Sequence, residues 1–490
     1  MTKDHLADLR KGADFDLRRQ LLLIIQLSIP AILSQITTVA MEYIDASMVG
    51  HLGRNASASV GIVSSSTWLA GGIAACLGAG FYVQVAHRIG AEDYKSARDL
   101  VKHGLLTELI FSSLIGLAAC AVSFRLPYIL GGAPEICRDA SRYFFIFSCG
   151  LPLMGMVYTA GGMLQCSGNM RIPSAINILE CIFDVIFNFF FIYGDETVQI
   201  AGLRLQMHGA GYGVMGAALG TFCAEGLAAL LMLYFLLVRS DKLAITGRRS
   251  SAGENLFNDQ IHENDHQESF LIRYHKELKT ALTIAIPIGI ENLLSSGAQI
   301  VSTKIVSPLG TAAIAANSFS VTAEGLCYMP GYGISSAATT ITGQCYGAGR
   351  LKLTRRLSWL AIFTGMAVMT VTGLLMYIFA PEMIGILSPD NEIRAMGSHV
   401  LQIEAFAEPM FAASIVCSGV MRGYGDTVSS SIINLFCMWF LRLPLAAFMA
   451  PRMGLAGVWI AMCAELNICG ILFMIRLHTG KRYKHPGADT

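Results

Sequence analysis

Apolar stretches of about 20 residues recur from end to end of this chain, each closed by glycine, proline or charged positions, and that is the length a helix needs to cross roughly 30 Å of hydrocarbon. Their spacing predicts twelve transmembrane helices. The first six are expected near 20–47, 57–86, 100–125, 139–166, 172–194 and 212–238. The second six are expected near 278–305, 313–345, 355–380, 396–421, 428–450 and 454–477.

The pattern repeats. A shift of 257 residues lays Pro30 on Pro287, Gly53 on Gly310, Gly90 on Gly347, Arg98 on Arg355, Pro152 on Pro409, Gly168 on Gly425 and Asn177 on Asn434. Past residue 194 the offset falls to 241, with Gly213 and Gly216 meeting Gly454 and Gly457, so the first half carries an insertion of 16 residues around 194–211. The expected fold is therefore an all-α polytopic membrane protein of two pseudo-symmetric six-helix lobes. Membrane chains built from such repeats read first as secondary transporters that rock one repeat against the other. The expected division is a cytoplasmic N-terminus (1–19), an N-lobe (20–238), an inter-lobe loop (239–277), a C-lobe (278–477) and a tail (478–490). The stretch 246–270 is polar and is expected to be poorly ordered in part.

Composition agrees with a membrane class. Of 490 residues 54% are hydrophobic and only 14% charged, against about 25% charged in soluble domains. The basic residues fall mainly on one side, in the N-terminus (Arg18, Arg19), the loop at Arg88 to Lys102, the central loop, Arg350 to Arg356, Arg422 and the tail. By the positive-inside rule both termini are cytoplasmic, in an inner (plasma) membrane. The first 19 residues carry no cleavage signal, and a monomer is expected.

Some chemistries drop out. Gly211-Tyr212-Gly213-Val214-Met215-Gly216 fits G-x-G-x-x-G, but that fingerprint has meaning only after a strand in a βαβ unit, and here it opens a transmembrane helix. Without a Walker A sequence, ATP is not the power source, and nothing suggests a nucleic-acid partner or an organic cofactor. No nucleophile–base pair suggests an enzyme. The thirteen cysteines lack zinc spacing and read as small hydrophobes.

Ionisable residues inside the spans cost at least about 2.5–3.5 kcal/mol each, so each needs a reason. The first half has Glu42 and Asp45 on helix 1, Glu180 and Asp184 on helix 5, and Glu225 on helix 6. The second has Glu291, Glu324, Glu404, Glu408, Arg442 and Glu465. On helix 5, Asn177, Glu180, Asp184 and Asn188 make one stripe at i+3 and i+4 steps. Thr221 and Glu225 are four apart on helix 6, and Pro30 can kink helix 1 ahead of Asp45. The repeat replaces Asp45 by Ser302, Asp184 by Leu441 and Asn188 by Leu445, so the constellation is expected in the first half alone. Its oxygens suit Na⁺ or a proton, with Asp45, Asp184, Asn188, Thr221 and Glu180 as coupling residues. Glu42, Asn177, Glu225, Glu291, Glu408 and Arg442 are candidates for a substrate cavity. Against that, Asn177 and Thr221 could be interhelical glue, and Arg442 could pair with an acid of its own lobe.

Motifs then resemble a family. Ser28-Ile29-Pro30, Val49-Gly50-His51-Leu52-Gly53, Arg88-Ile89-Gly90-Ala91, Gly216-Ala217-Ala218-Leu219-Gly220-Thr221, Gln344-Cys345-Tyr346-Gly347-Ala348-Gly349 and Met421-Arg422-Gly423-Tyr424-Gly425-Asp426-Thr427 are similar to those of MATE transporters, the multidrug and toxic compound extrusion family, over about 20–477. The resemblance implies a V-shaped pair of lobes with alternating access and an N-lobe cation site on Asp45, Asp184, Asn188 and Thr221. The prokaryotic pattern commonly has Asn before Asn or Asp, whereas Asp184 precedes Asn188 here. The C-lobe acids of some members fall on Ser295 and about Phe411. The expected function is an antiporter exporting amphiphilic, cationic small molecules across the bilayer in exchange for H⁺ or Na⁺. A flippase or exporter of lipid-linked cargo is the alternative, and a channel or receptor a more distant one.

Overall fold

The computed structural model describes residues 16–194, 196–200, 203–207, 209–245, 270–388 and 390–480. Most of the N-terminal segment, the 246–269 part of the inter-lobe loop and the tail from 481 lie outside the described residues.

Twelve helical stretches lie close to the expected spans, and among the described residues nine helices, or up to ten with the bent pair counted as one span, are long and apolar enough to cross a membrane. The N-lobe holds α1 (Leu17–Gly50), α2 (Arg54–Gly90), α3 (Tyr94–Ser123), α4 (Pro134–Cys166), α5 (Arg171–Ile192) and α6 (Val214–Tyr234, prolonged by a π-helical turn Phe235–Arg239). The C-lobe holds α7 (Phe270–Val306), α8 (Thr311–Gly347), α9 (Leu351–Leu387) and α10, broken into Asn391–Glu404 and Glu408–Tyr424. Its last helices run almost continuously from Thr427 to Thr479. Gly454, at φ 61° and ψ −143°, separates α11 (427–453) from α12 (455–479). Only glycine adopts such a backbone without strain.

Three features depart from the expected outline. The insertion after α5 contains a β-hairpin, Glu196–Ile200 pairing antiparallel with Leu203–Met207. α7 begins at Phe270, two turns ahead of the expected lobe boundary. Its extension is held against α3: Arg273 pairs with Asp99 at 3.4 Å and with Glu277 at 3.2 Å, and Glu277 meets His103 at 2.6 Å. α10 bends by 61° at its break, just ahead of Pro409, whose missing N–H prevents a continuous ladder. Its repeat partner Pro152 leaves α4 unbroken.

The lobes meet at the end where α2, α4, α8 and α10 finish. Across this seam Gln84 donates to the Glu277 carbonyl (3.1 Å), Thr340 to Gln165 O (3.2 Å) and Gln344 to Cys166 O (2.6 Å). His87 Nε2 lies 2.8 Å from Gly423 O. The repeat-related glycines Gly90 and Gly347 permit the approach: a β-carbon on Gly90 would stand 2.2 Å from Gln344 O, and one on Gly347 2.1 Å from His87 O. Midway along, Asn292 donates to Gly72 O at 3.2 Å. At the other end Gly50, Gly53, Gly61 and Gly310 would meet nothing within 4 Å. The close main-chain approaches between the two bundles are thus seen at the first end and not at these four positions.

Candidate functional site

The polar stripe of α5 faces α1 and α6. Asn188 Nδ2 donates to both Asp45 Oδ1 and Asp184 Oδ2, each at 2.8 Å, so one amide bridges carboxyl groups from two helices. Asp184 and Asn188 are fully buried, while Asp45 is half-buried. α6 closes the third side through small residues: a β-carbon on Gly220 would fall 2.0 Å from Asn188 Oδ1. Thr221 Oγ1 donates to Ala217 O at 3.2 Å and lies beside Asp184.

Two oxygens here accept no hydrogen bond among the described residues, Asp184 Oδ1 and Asn188 Oδ1. A buried acceptor without a donor costs about 1–3 kcal/mol, so it calls for a proton or a cation. Two carboxylates, an amide oxygen and a hydroxyl from three helices form a hard oxygen set of the kind that takes Na⁺, and two neighbouring carboxyls equally suit a shared proton. The sequence-predicted core of Asp45, Asp184, Asn188 and Thr221 is therefore brought together.

Glu180 lies one turn along the same stripe, within electrostatic range of Glu225 of α6 and Tyr158 of α4. Glu42 is exposed on α1, beside Tyr43, which lies near Thr322 of α8 in the other lobe. Asn177 instead donates to Ser34 Oγ at 2.8 Å and acts as the α5–α1 glue weighed from sequence.

The C-lobe corrects several expectations. Leu441 and Leu445, at the positions of Asp184 and Asn188, pack against apolar clusters. Glu291 is half-buried and accepts from Ser431 (2.6 Å) and from Asn434 Nδ2 (2.7 Å), tying α7 to α11. Glu408 is fully buried at the α10 break instead of facing an open cleft, and Glu404 joins it there, neither accepting a hydrogen bond among the described residues. Arg442 donates to Met462 Sδ at 2.6 Å and lies within electrostatic range of Glu324, Glu404 and Glu465 of its own lobe. Deep carboxylates are thus not confined to the first half. They sit at positions the repeat does not equate, because the break of α10 creates an interior niche that α4 lacks.

Two groups escaped the sequence reading. Glu108 of α3 is fully buried, and a β-carbon on Gly155 would stand 2.7 Å from its Oε1. Its signal was plain, a lone acid in Leu105-Leu106-Thr107-Glu108-Leu109-Ile110. Cys437, Glu465 and Cys469 converge from α11 and α12, their ligand atoms all within 4.8 Å of one another. Local spacing could not reveal that convergence.

The profile of the MatE family matches residues 30–190 and 287–448, one block in each lobe. The chain is 22% identical over 472 residues to a probable multidrug resistance protein NorM of Thermotoga maritima, covering 95% of this chain and 93% of that protein. It is 23% identical over 466 residues to the multidrug resistance protein MdtK of Yersinia pestis, covering 93% and 94%. Among solved structures, an outward-facing multidrug resistance MATE family transporter of the MOP superfamily superposes with a TM-score of 0.82 at 21% identity, over 98% of this chain and 99% of that one.

Proposed function

The chain belongs to the MatE family of transporters, and from that premise we propose that it is a multidrug efflux antiporter, exporting amphiphilic organic cations in exchange for H⁺ or Na⁺. The observation that carries the coupling is the Asn188-bridged pair of Asp45 and Asp184, with Asp184 Oδ1 and Asn188 Oδ1 buried and accepting no hydrogen bond among the described residues. In the arrangement described, the half-buried Asp45 is the member of the pair through which the end of the lobes away from the seam reaches the site. An ion entering there meets the Asp184 and Asn188 oxygens and draws α1 toward α5. Because it binds one arrangement better than the other, it biases the lobes toward that arrangement. Organic cations bind in the cleft between the lobes, where Glu42 is exposed and Tyr43 and Thr322 span the gap.

The basic loops support a reading in which the end where α2, α4, α8 and α10 finish lies on the cytoplasmic side of an inner membrane and the opposite end faces outward. Transport by a monomer needs only the two lobes of one chain.

Proteoliposomes loaded with a fluorescent cationic dye, under separately imposed pH and sodium gradients, test the reading. Dye movement should follow one of the two gradients and vanish in Asp45→Asn. Unchanged gradient-driven movement in that variant would remove these carboxyls from coupling.

A further inference from the structure

The geometry points to a second, unrelated ion site in the C-lobe: Cys437 and Cys469 thiolates with the Glu465 carboxylate form a binding site for a borderline-soft metal ion, Zn²⁺ in the first instance. All three residues are buried, and their ligand atoms lie within 4.8 Å of one another. Tetrahedral zinc, with bonds of about 2.3 Å to sulfur and 2.0–2.2 Å to carboxylate oxygen, fits inside that envelope. Harder ions such as Na⁺ or Mg²⁺ have no use for two sulfurs.

A fourth ligand stands ready. Cys469 Sγ lies 3.5 Å from Asn434 Oδ1. The same amide donates through Nδ2 to Glu291 at 2.7 Å, which fixes its carbonyl oxygen toward the thiols. Metal sites commonly owe ligand orientation to such an outer partner. The backbone has a local irregularity here too: a π-helical turn, Cys437–Arg442, begins at the first ligand, and π turns inside helices concentrate at functional positions.

Charge also closes. Two thiolates, a carboxylate and Zn²⁺ leave one negative charge, which the Arg442 guanidinium facing Glu465 offsets. Neutrality matters because Cys437 lies ten residues into α11, about 15 Å along the helix and near the bilayer midplane. The two thiol protons leave to water as the metal enters. Bound metal would clamp α11 to α12 across the Gly454 break.

The test uses the reduced, purified full chain in detergent, with free thiols confirmed by titration. Co²⁺ as a spectroscopic substitute should give the intense visible bands of tetrahedral thiolate cobalt, and Zn²⁺ should remain at about one equivalent after desalting. Cys437→Ser with Cys469→Ser should lose the bands and the zinc, while Cys417→Ser, a buried thiol outside the site, should keep both. Glu291→Ala, which removes the acceptor that holds the Asn434 amide, should weaken zinc binding about 10–100-fold. Absence of bands and zinc in the reduced wild type, or their persistence in the double serine variant eluting as a single species, would overturn the site.

Discussion

Set side by side, corresponding corners of the two lobes keep their fastening and exchange their chemistry. Asn177 holds α5 to Ser34 of α1 at 2.8 Å, and its repeat partner Asn434 holds α11 to Glu291 of α7 at 2.7 Å. Ser34 and Glu291 are themselves repeat partners. Two turns farther along, the lobes part company. Asp184, Asn188, Gly220 and Thr221 in the first are Leu441, Leu445, Ala461 and Met462 in the second. The glycine matters as much as the acids: only where Asn188 must sit against α6 is the facing residue stripped of its β-carbon. A duplicated scaffold thus conserves the contacts that align helices while ligand positions drift with the pocket they serve.

The comparison can be attacked at several points. The largest effect is expected from Asp184→Asn, which should reduce gradient-driven efflux to background in the proteoliposome assay while leaving the purified protein monodisperse. The reverse graft, Leu441→Asp, places an acid where only apolar neighbours wait. It should lower stability by about 2.5–3.5 kcal/mol, seen as a fall in melting temperature in detergent. Gly220→Ala, which gives α6 the residue α12 already has at Ala461, should push Asn188 aside, cost about 1–3 kcal/mol and weaken ion-driven transport. The smallest effect is Asn177→Ala, about 0.6–2 kcal/mol of stability with transport retained. Asn434→Ala should cost more than that, because it strips a donor from Glu291. Equal losses in the two asparagine variants would mean the shared fastening is not differentiated as described.

Much of this was legible beforehand. Helix 6, expected at 212–238, runs from Val214 through Arg239, since glycines and a cluster of charges bound it. The acid pair was readable because the stripe of α5 obeys helical spacing and the repeat puts leucines at the positions of Asp184 and Asn188 and a serine at that of Asp45. The C-lobe acids were visible as residues but not as a group. Glu404 and Glu408 acquire their niche from the 61° bend of α10, and a proline by itself does not announce a break: Pro152 makes none. Cys437 and Cys469 are 32 residues apart, and only the antiparallel return of α12 along α11 brings them face to face. Glu108 needed no geometry; it lay inside a predicted span.

The seam that joins the lobes has a property of its own. Gln84, Thr340, Gln344 and Asn292 each reach across to a main-chain carbonyl, and so does His87. When such a zipper opens, what is released toward water is a row of amides, a hydroxyl and an imidazole, at about 0.5–1.5 kcal/mol apiece. A latch of that kind comes undone in small steps, each a single hydrogen bond to a main-chain carbonyl.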